Sequence, residues 1–174
     1  VTAPRANVRL SPKSETAVGE ARLKRLLVDM GYQEAITMSF VEPGVLAKID
    51  PTAQPLALAN PLSADLSVMR TTLWAGLLKA VQYNQNRQQP RVRLFETGLR
   101  FVPAPEGLKQ ERMLAGVVTG TVNVELWSHI KKDIDFFDIK GNIERVVALL
   151  GASDRVGYKA ATHPALHPGQ CAVR

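Results

Sequence analysis

The fold of this chain is decided by residues 60–102, NPLSADLSVMRTTLWAGLLKAVQYNQNRQQPRVRLFETGLRFV. Thr71 or Thr72 can cap a helix whose apolar residues then recur on one face at spacings of three and four. Pro90 cannot continue a helix. The next residues, Arg91–Glu96, alternate as a strand does, with Val92 and Leu94 on one side and Arg93 and Phe95 on the other, and precede a second turn that contains glycine. We expect the rest of the chain to pack around this helix and strand.

Upstream, residues 1–13 show no periodicity and are interpreted as an arm or linker. Ser14 or Thr16 can start a helix that ends at Gly31, since glycine is the commonest residue just after a helix. The segment Ala35–Val41 alternates apolar and polar residues and predicts a half-buried strand. Its apolar side consists of Ile36, Met38 and Phe40. A short helix near 45–49 and a brief strand at 56–58 follow.

Downstream, residues 103–107 predict a tight loop between two strands. The second of these strands, Met113–Thr119, is almost wholly apolar, which favours a central place in a sheet. Residues 122–127 fit either a strand or a loop leading into a helix. Asp138 can cap a helix that ends at Gly151. Its predicted buried stripe is Ile139, Ile143, Val146, Val147 and Leu150. Strands are predicted at 155–160 and 171–174.

Composition places these elements in one domain. The chain has 174 residues, of which 45% are hydrophobic, enough to bury a core. It lacks an apolar run of the roughly 20 residues that span a membrane, and its single cysteine, Cys171, fits a reducing cytoplasm. Short loops join strands as often as helices do. We therefore predict an α+β fold, an antiparallel or mixed sheet flanked by helices, over residues 14–174, with the last strand incomplete.

Catalytic and metal-binding patterns are weak. The glycine spacings match neither the Walker loop nor the dinucleotide fingerprint. His163 and His167 would share a helical face, but Pro164 and Pro168 argue against a helix there, so a loop is favoured over a zinc site. Cys171 is interpreted as a small core residue.

Three carboxylates, Asp133, Asp135 and Asp138, could suggest a magnesium site. A loop residue at Asp135 and a helix cap at Asp138 are the simpler interpretation. Ser128, His129 and Asp133 have the residue types of a Ser/His/Asp catalytic triad. This interpretation is not favoured, because nothing in the sequence places the serine on a nucleophile turn.

Several motifs together carry a family resemblance. The stretches LLVDMGYQEAITMSF, NPLSADLSVMRTTLWAGLL, NQNRQQ, RLFETGLRF, DFFDIKGNIE and HPALHPGQCA occur in this order along the chain. They resemble the class II synthetase-like core of the bacterial phenylalanyl-tRNA synthetase beta subunit. The resemblance implies a class II core that pairs with a catalytic alpha subunit in an alpha2-beta2 tetramer. The parent enzyme uses ATP and magnesium to join phenylalanine to tRNA(Phe) in the cytoplasm.

The resemblance also implies which groups this core has lost. In class II synthetases an arginine on the first strand of motif 2 holds the α-phosphate of ATP, and a glutamate lies on the return strand. Val102 and Ala115 occupy these two positions here. Neither side chain can supply a preorganised charge for adenylate formation. No catalytic residue, cofactor site or metal site is therefore expected in this chain.

Two surfaces are candidates for contacts. By position in motif 1, the interface with the catalytic subunit is expected at Leu23, Leu27, Met30, Tyr32, Met38 and Phe40. Net charge is +6, and a tRNA or partner contact is a hypothesis for Arg87, Arg91 and Arg93, with a solvated basic face as the alternative. Two other functions stay open: an independent RNA- or DNA-binding module, and a divergent ATP-dependent ligase.

Overall fold

A computed structural model describes residues 17–128, 131–167 and 169–173 of the chain. The predicted arm at 1–13, and the helix starts at Ser14 and Thr16, lie outside these residues. The described helices are α1 (Glu20–Asp29), α2 (Pro43–Ile49), α3 (Trp74–Gln85) and α4 (Phe136–Leu149). The described strands are β1 (Gln33–Glu34), β2 (Phe40–Val41), β3 (Val68–Met69), β4 (Val92–Ala104), β5 (Gly107–Thr119), β6 (Lys159–Ala160) and β7 (Ala172–Val173). The predicted α+β class is confirmed.

The main sheet is mixed, with the order β1-β4-β5 in the described part of the chain. β1 runs parallel to β4, and β5 runs antiparallel to it. The β4–β5 hairpin pairs without interruption from Val92↔Thr119 to Ala104↔Gly107. Two predictions were wrong here. The first strand does not end near Glu96, because Gly98 keeps its place in the ladder opposite Met113; and β4, not β5, is the central strand.

The two faces of the hairpin bury different helices because successive side chains of a strand point to opposite faces. On one face, Val92 and Leu94 pack with Leu73, Leu77 and Val81 of α3. On the other face, the fully buried Phe95 packs with two further buried residues, Leu27 of α1 and Tyr32. Val146 of α4 also packs against this second cluster. The predicted stripe of α3 and the predicted sidedness of β4 are confirmed.

The segment Ala35–Val41 differs from its predicted half-buried strand. Only its last two residues form ladder pairs, with β3, while residues 33–34 pair with β4. Ile36 and Met38, expected to be buried, are 91% and 54% exposed. Thr37, between them, forms a hydrogen bond through its side chain to the buried Glu96. Alternation predicted the two sides of this segment correctly, but not which side faces inward.

Helix termini follow local chemistry with two corrections. Gly31 has φ +83°, as expected of a residue that ends a helix. Neither threonine caps α3 at its N-cap position, which is Leu73, although the Thr72 hydroxyl accepts a hydrogen bond from the Trp74 amide at 3.3 Å. At α4 the N-cap is Asp135 and not Asp138. Asp138 is instead the third helical residue and completes a capping box.

The C-terminal part of the described chain is less buried than predicted. Ile139 and Ile143 of α4 remain 39% and 46% exposed. Residues 122–127 form neither a helix nor a strand. β6 is shorter than the predicted strand at 155–160 and pairs with β7. No helix in the described part of the chain is both long and apolar enough to cross a membrane.

Candidate functional site

A buried polar cluster lies where α3, β4 and the 35–39 segment meet. Arg70 and Glu96 are 3% and 2% exposed, and the Arg70 Nη1 atom lies 2.7 Å from Glu96 Oε1. The Thr37 hydroxyl donates to Glu96 Oε2 at 2.7 Å, and the Thr37 amide donates to Glu96 Oε1 at 3.3 Å. Arg70 Nε donates to the Leu99 carbonyl at 2.9 Å. We call Thr37, Arg70 and Glu96 the buried cluster.

Two glycines make room for the buried cluster. A Cβ atom on Gly76 of α3 would lie 2.1 Å from the Thr37 hydroxyl. A Cβ atom on Gly98 of β4 would lie 2.4 Å from Arg70 Nη2. Both distances are shorter than any real Cβ contact. Any other residue at either position would therefore displace the cluster.

An apolar strip lies on the exposed side of the 35–39 segment, opposite the buried cluster. Thr37 is directed inward, towards Glu96, and its two neighbours Ile36 and Met38 lie on the outward side of the segment. Their exposed fractions of 91% and 54% agree with this geometry. We call Ile36 and Met38 the exposed strip.

The six residues predicted for the partner interface are distributed between the core and the surface. Leu27 and Tyr32 are buried, and Leu23 and Met30 pack against the same core cluster. Phe40 is half-buried in β2. Met38 is exposed and belongs to the exposed strip. Ile36 adjoins Met38 on this strip but was expected in the core, because the period-2 pattern gave no sign of which side faces inward.

The two positions that the family resemblance assigns to motif 2 do not converge. Val102 pairs with Lys109 near the hairpin turn, whereas Ala115 pairs with Glu96. They are six ladder positions apart, about 20 Å at roughly 3.3 Å per residue. Ala115 packs against the α3 cluster. Val102 is half-buried.

The cations nearest Val102 in the ladder are already paired. Arg100 Nε donates to the carboxylate of Glu111, its cross-strand partner, at 2.7 Å. Lys109, opposite Val102, also forms an ion pair with Glu111. Hydrogen bonds from Lys109 and Arg100 lower the pKa of Glu111, so this carboxylate stays charged and holds both cations in ion pairs.

The three arginines of the predicted basic surface are in different environments. Arg87 lies over the Tyr83 ring, 3.4 Å from its centroid. Arg91 Nε and Arg93 Nη2 donate to the carbonyls of Thr121 and Val122, at 3.2 and 3.0 Å. Burial lowers the pKa of Arg91. Arg91 and Arg93 thus bind the loop after β5, and Arg87 is the most available of the three for a contact.

The histidines and aspartates take structural roles. His163 and His167 each accept a backbone N–H at Nδ1, from Ala165 and Gly169, both at 3.2 Å. Cys171 is half-buried. In the described residues, no group of three or more His, Cys, Asp or Glu side chains is arranged to hold a metal ion.

Arg70 and Glu96 were missed by sequence reasoning, which treated Glu96 as the polar end of a strand. A signal was present. Glu96 continues the Val92, Leu94 side of β4, and this side faces the apolar stripe of α3. A carboxylate on such a buried side needs a buried partner.

The fold agrees with that of a known synthetase class. The chain superposes on the pyrrolysyl tRNA synthetase PylSc of Desulfitobacterium hafniense with a TM-score of 0.59 and 18% identity, covering 84% of this chain and 49% of that one. The fold is therefore that of a class II synthetase-like core.

The sequence defines the family within that class. Residues 1–173 match the family model for the phenylalanyl tRNA synthetase beta chain CLM domain. The chain is 52% identical over 172 residues to the phenylalanine–tRNA ligase beta subunit of Sodalis glossinidius, and 53% over 171 residues to that of Photorhabdus laumondii. Each alignment covers 97% of this chain and 22% of the relative. This chain belongs to the phenylalanyl-tRNA synthetase beta family and spans about a fifth of the relatives' length.

Proposed function

We propose that this chain is the non-catalytic class II core of a phenylalanine–tRNA ligase beta subunit. Its role is to pair with the catalytic alpha subunit, within an alpha2-beta2 tetramer in the cytoplasm, and so to support ATP-dependent aminoacylation of tRNA(Phe). ATP and magnesium act in the partner subunit. Membership of the beta family supports this assignment.

The exposed strip is the feature that supports pairing with the alpha subunit. Single exposed apolar residues are common on protein surfaces and need no explanation. Ile36 and Met38 differ because they share one side of a backbone that the buried cluster fixes in place. Burying such side chains against a partner contributes about 25 cal/mol per Å² of apolar area.

The environment of Val102 and Ala115 supports a non-catalytic role. Adenylate formation needs a cation aimed at the α-phosphate. Val102 offers none, and the nearby Arg100 and Lys109 both form ion pairs with Glu111. A divergent ligase is the alternative, and it predicts saturable binding of ATP–magnesium by the beta subunit alone in a calorimeter.

An independent nucleic-acid-binding module is the second candidate, favoured by the net charge of +6. It predicts that RNA affinity falls steeply with added salt in the absence of any protein partner. Two of the three candidate arginines bind loop carbonyls within the chain, which favours the pairing role over this one.

The test is co-assembly of the full-length beta subunit with its alpha subunit. We expect Ile36→Asp with Met38→Asp to weaken the dissociation constant at least about tenfold, since two charges would be buried at the contact. Val124→Asp is the matched control, because Val124 is also exposed, at 59%, but lies in the loop after β5 and not in the exposed strip. Unchanged affinity in the double variant would exclude the exposed strip from the interface.

A further inference from the structure

We propose that Thr37 and Glu96 are positioning residues that hold the exposed strip in the orientation that the partner subunit binds. This inference rests on the proposed pairing with the alpha subunit. It assigns a function to a buried charged group that packing alone does not require.

The first step concerns the backbone that carries the strip. Between β1 and β2, residues 35–39 form no ladder pairs. The Glu96 carboxylate accepts from both donors of Thr37, its amide at 3.3 Å and its hydroxyl at 2.7 Å. One side chain of β4 thus takes the place that a neighbouring strand's carbonyl would have.

The second step concerns Arg70, which binds both Glu96 and the same segment. Its Nη1 atom lies 3.1 Å from the Thr37 hydroxyl oxygen, and its backbone amide donates to the Ser39 carbonyl at 2.9 Å. The same Nη1 atom binds Glu96. The segment is therefore held at two successive inward-facing residues, Thr37 and Ser39.

The third step concerns which side of the 35–39 segment faces the core. A slip of one residue in an extended segment moves every side chain to the opposite side. Here a slip would turn Ile36 and Met38 inward and expose Thr37. An apolar residue at position 37 would pack on either side equally well, whereas the buried carboxylate accepts only a donor. The cluster therefore selects the register in which the apolar side faces outward.

A buried ion pair is weak evidence for a role in stability, because apolar residues of similar volume often stabilise a core as well. Specifying one arrangement is the better-attested use of such a group. Gly76 and Gly98, which have room for no Cβ beside the cluster, keep that arrangement close-packed.

The experiment separates positioning from stability. In the full-length beta subunit, Thr37→Val removes the hydroxyl and keeps the shape, and Thr37→Ser keeps the hydroxyl. Val81→Ala is the matched control, because Val81 is buried in the same core but touches neither the cluster nor the strip. For each variant, the dissociation constant for the alpha subunit and the midpoint of thermal unfolding are measured.

We expect Thr37→Val to weaken alpha binding about tenfold, because the hydroxyl's hydrogen bonds with Glu96 and Arg70 are both lost. Thr37→Ser is expected to stay within about twofold. Val81→Ala should lower the unfolding temperature at least as much as Thr37→Val and leave affinity unchanged. Thr37→Ala replaces Thr37→Val if that subunit is not recovered in folded form.

The positioning role is overturned if Thr37→Val leaves affinity unchanged, or if Val81→Ala weakens binding as much as Thr37→Val does. The strip variant of the previous section tells the two proposals apart. If Ile36→Asp with Met38→Asp weakens binding and Thr37→Val does not, only the positioning role fails. If neither weakens binding, the interface itself is wrong and the positioning role falls with it.

Discussion

Helices α3 and α4 have similar apolar stripes and very different burial. Leu73, Leu77 and Val81 of α3 are at most 8% exposed, whereas Ile139 and Ile143 of α4 are 39% and 46% exposed. Among the described residues, every buried side chain lies between Leu27 and Phe101. Periodicity therefore predicts which side of a helix is apolar, but not whether anything covers it.

The two regions are also held by different interactions. α3 is fixed by the close-packed core and lies beside the buried cluster. α4 touches the core through Val146 and through a hydrogen bond of 2.9 Å from the Asn142 amide to the Tyr32 hydroxyl. Its start depends on the Asp135 capping box. We expect α4 to open locally at a lower free energy than α3.

The largest effect is expected at the buried cluster. Glu96→Gln removes the charge that pairs with Arg70 and leaves a buried guanidinium uncompensated, which should lower the free energy of unfolding by about 3–5 kcal/mol. Urea unfolding measures it. Glu111→Gln, on the exposed half of the same hairpin, is the control and should cost much less, because its ion-pair partners Arg100 and Lys109 are solvent-exposed. Equal losses in the two variants would show that the buried cluster contributes no more to stability than the exposed half of the hairpin.

A smaller and local effect is expected at α4. The Asp135 carboxylate accepts from the amides of Phe137 and Asp138 at 2.8 and 3.0 Å. Asp135→Ala should therefore destabilise α4, because two backbone amides lose their acceptor. Hydrogen exchange should quicken in α4 and stay unchanged in α3. Asp133→Ala is the control, since Asp133 is an exposed aspartate outside the cap. Faster exchange in both helices would show that they unfold as one unit.

The smallest effect is a pH dependence at α1. A hydrogen bond from Thr97, followed by contacts with Lys24 and Arg112, lowers the pKa of Glu20 from 4.5 to about 2. These contacts join α1 to β4 and β5. A lowered carboxyl pKa stabilises the folded state above the unfolded pKa, and this stabilisation is lost as pH falls from about 4.5 towards 2.

Glu20→Gln should therefore lower stability modestly at pH 7, where solvent screens these exposed ion pairs, and flatten the fall in stability over that acid range. Thermal unfolding measured against pH checks this. An acid profile identical to that of the unaltered chain would mean that Glu20 does not titrate as its contacts indicate.

The sequence predicted the features that depend on local chemistry. Gly31 ends α1, residues 103–107 contain the hairpin turn, and the alternation at 91–96 gave the two sides of β4. The motif order predicted the family. The buried cluster was not predicted, because Arg70 and Glu96 are 26 residues apart and each is compatible with a solvated position when taken alone. Their burial depends on how α3 packs against the sheet.

The same limit explains the errors at Ile36 and at α4. An alternating segment has an apolar side in both cases, when that side packs in the core and when it binds a partner. The local sequence does not distinguish these two cases. At α4, both Asp135 and Asp138 fit a cap, and only the backbone geometry identifies Asp135. The interface and the lost motif 2 positions stay predictions from the family resemblance.

The most direct test of a non-catalytic core is phenylalanine-dependent ATP–pyrophosphate exchange. It is measured with the full-length beta subunit alone, the alpha subunit alone, and the two reconstituted, with Val102→Ala and Ala115→Gly introduced in the beta subunit. We expect no exchange above background from the beta subunit alone, full exchange from the reconstituted enzyme, and values within about twofold for both variants. Exchange by the beta subunit alone, or its loss in the Val102→Ala enzyme, would contradict a non-catalytic role.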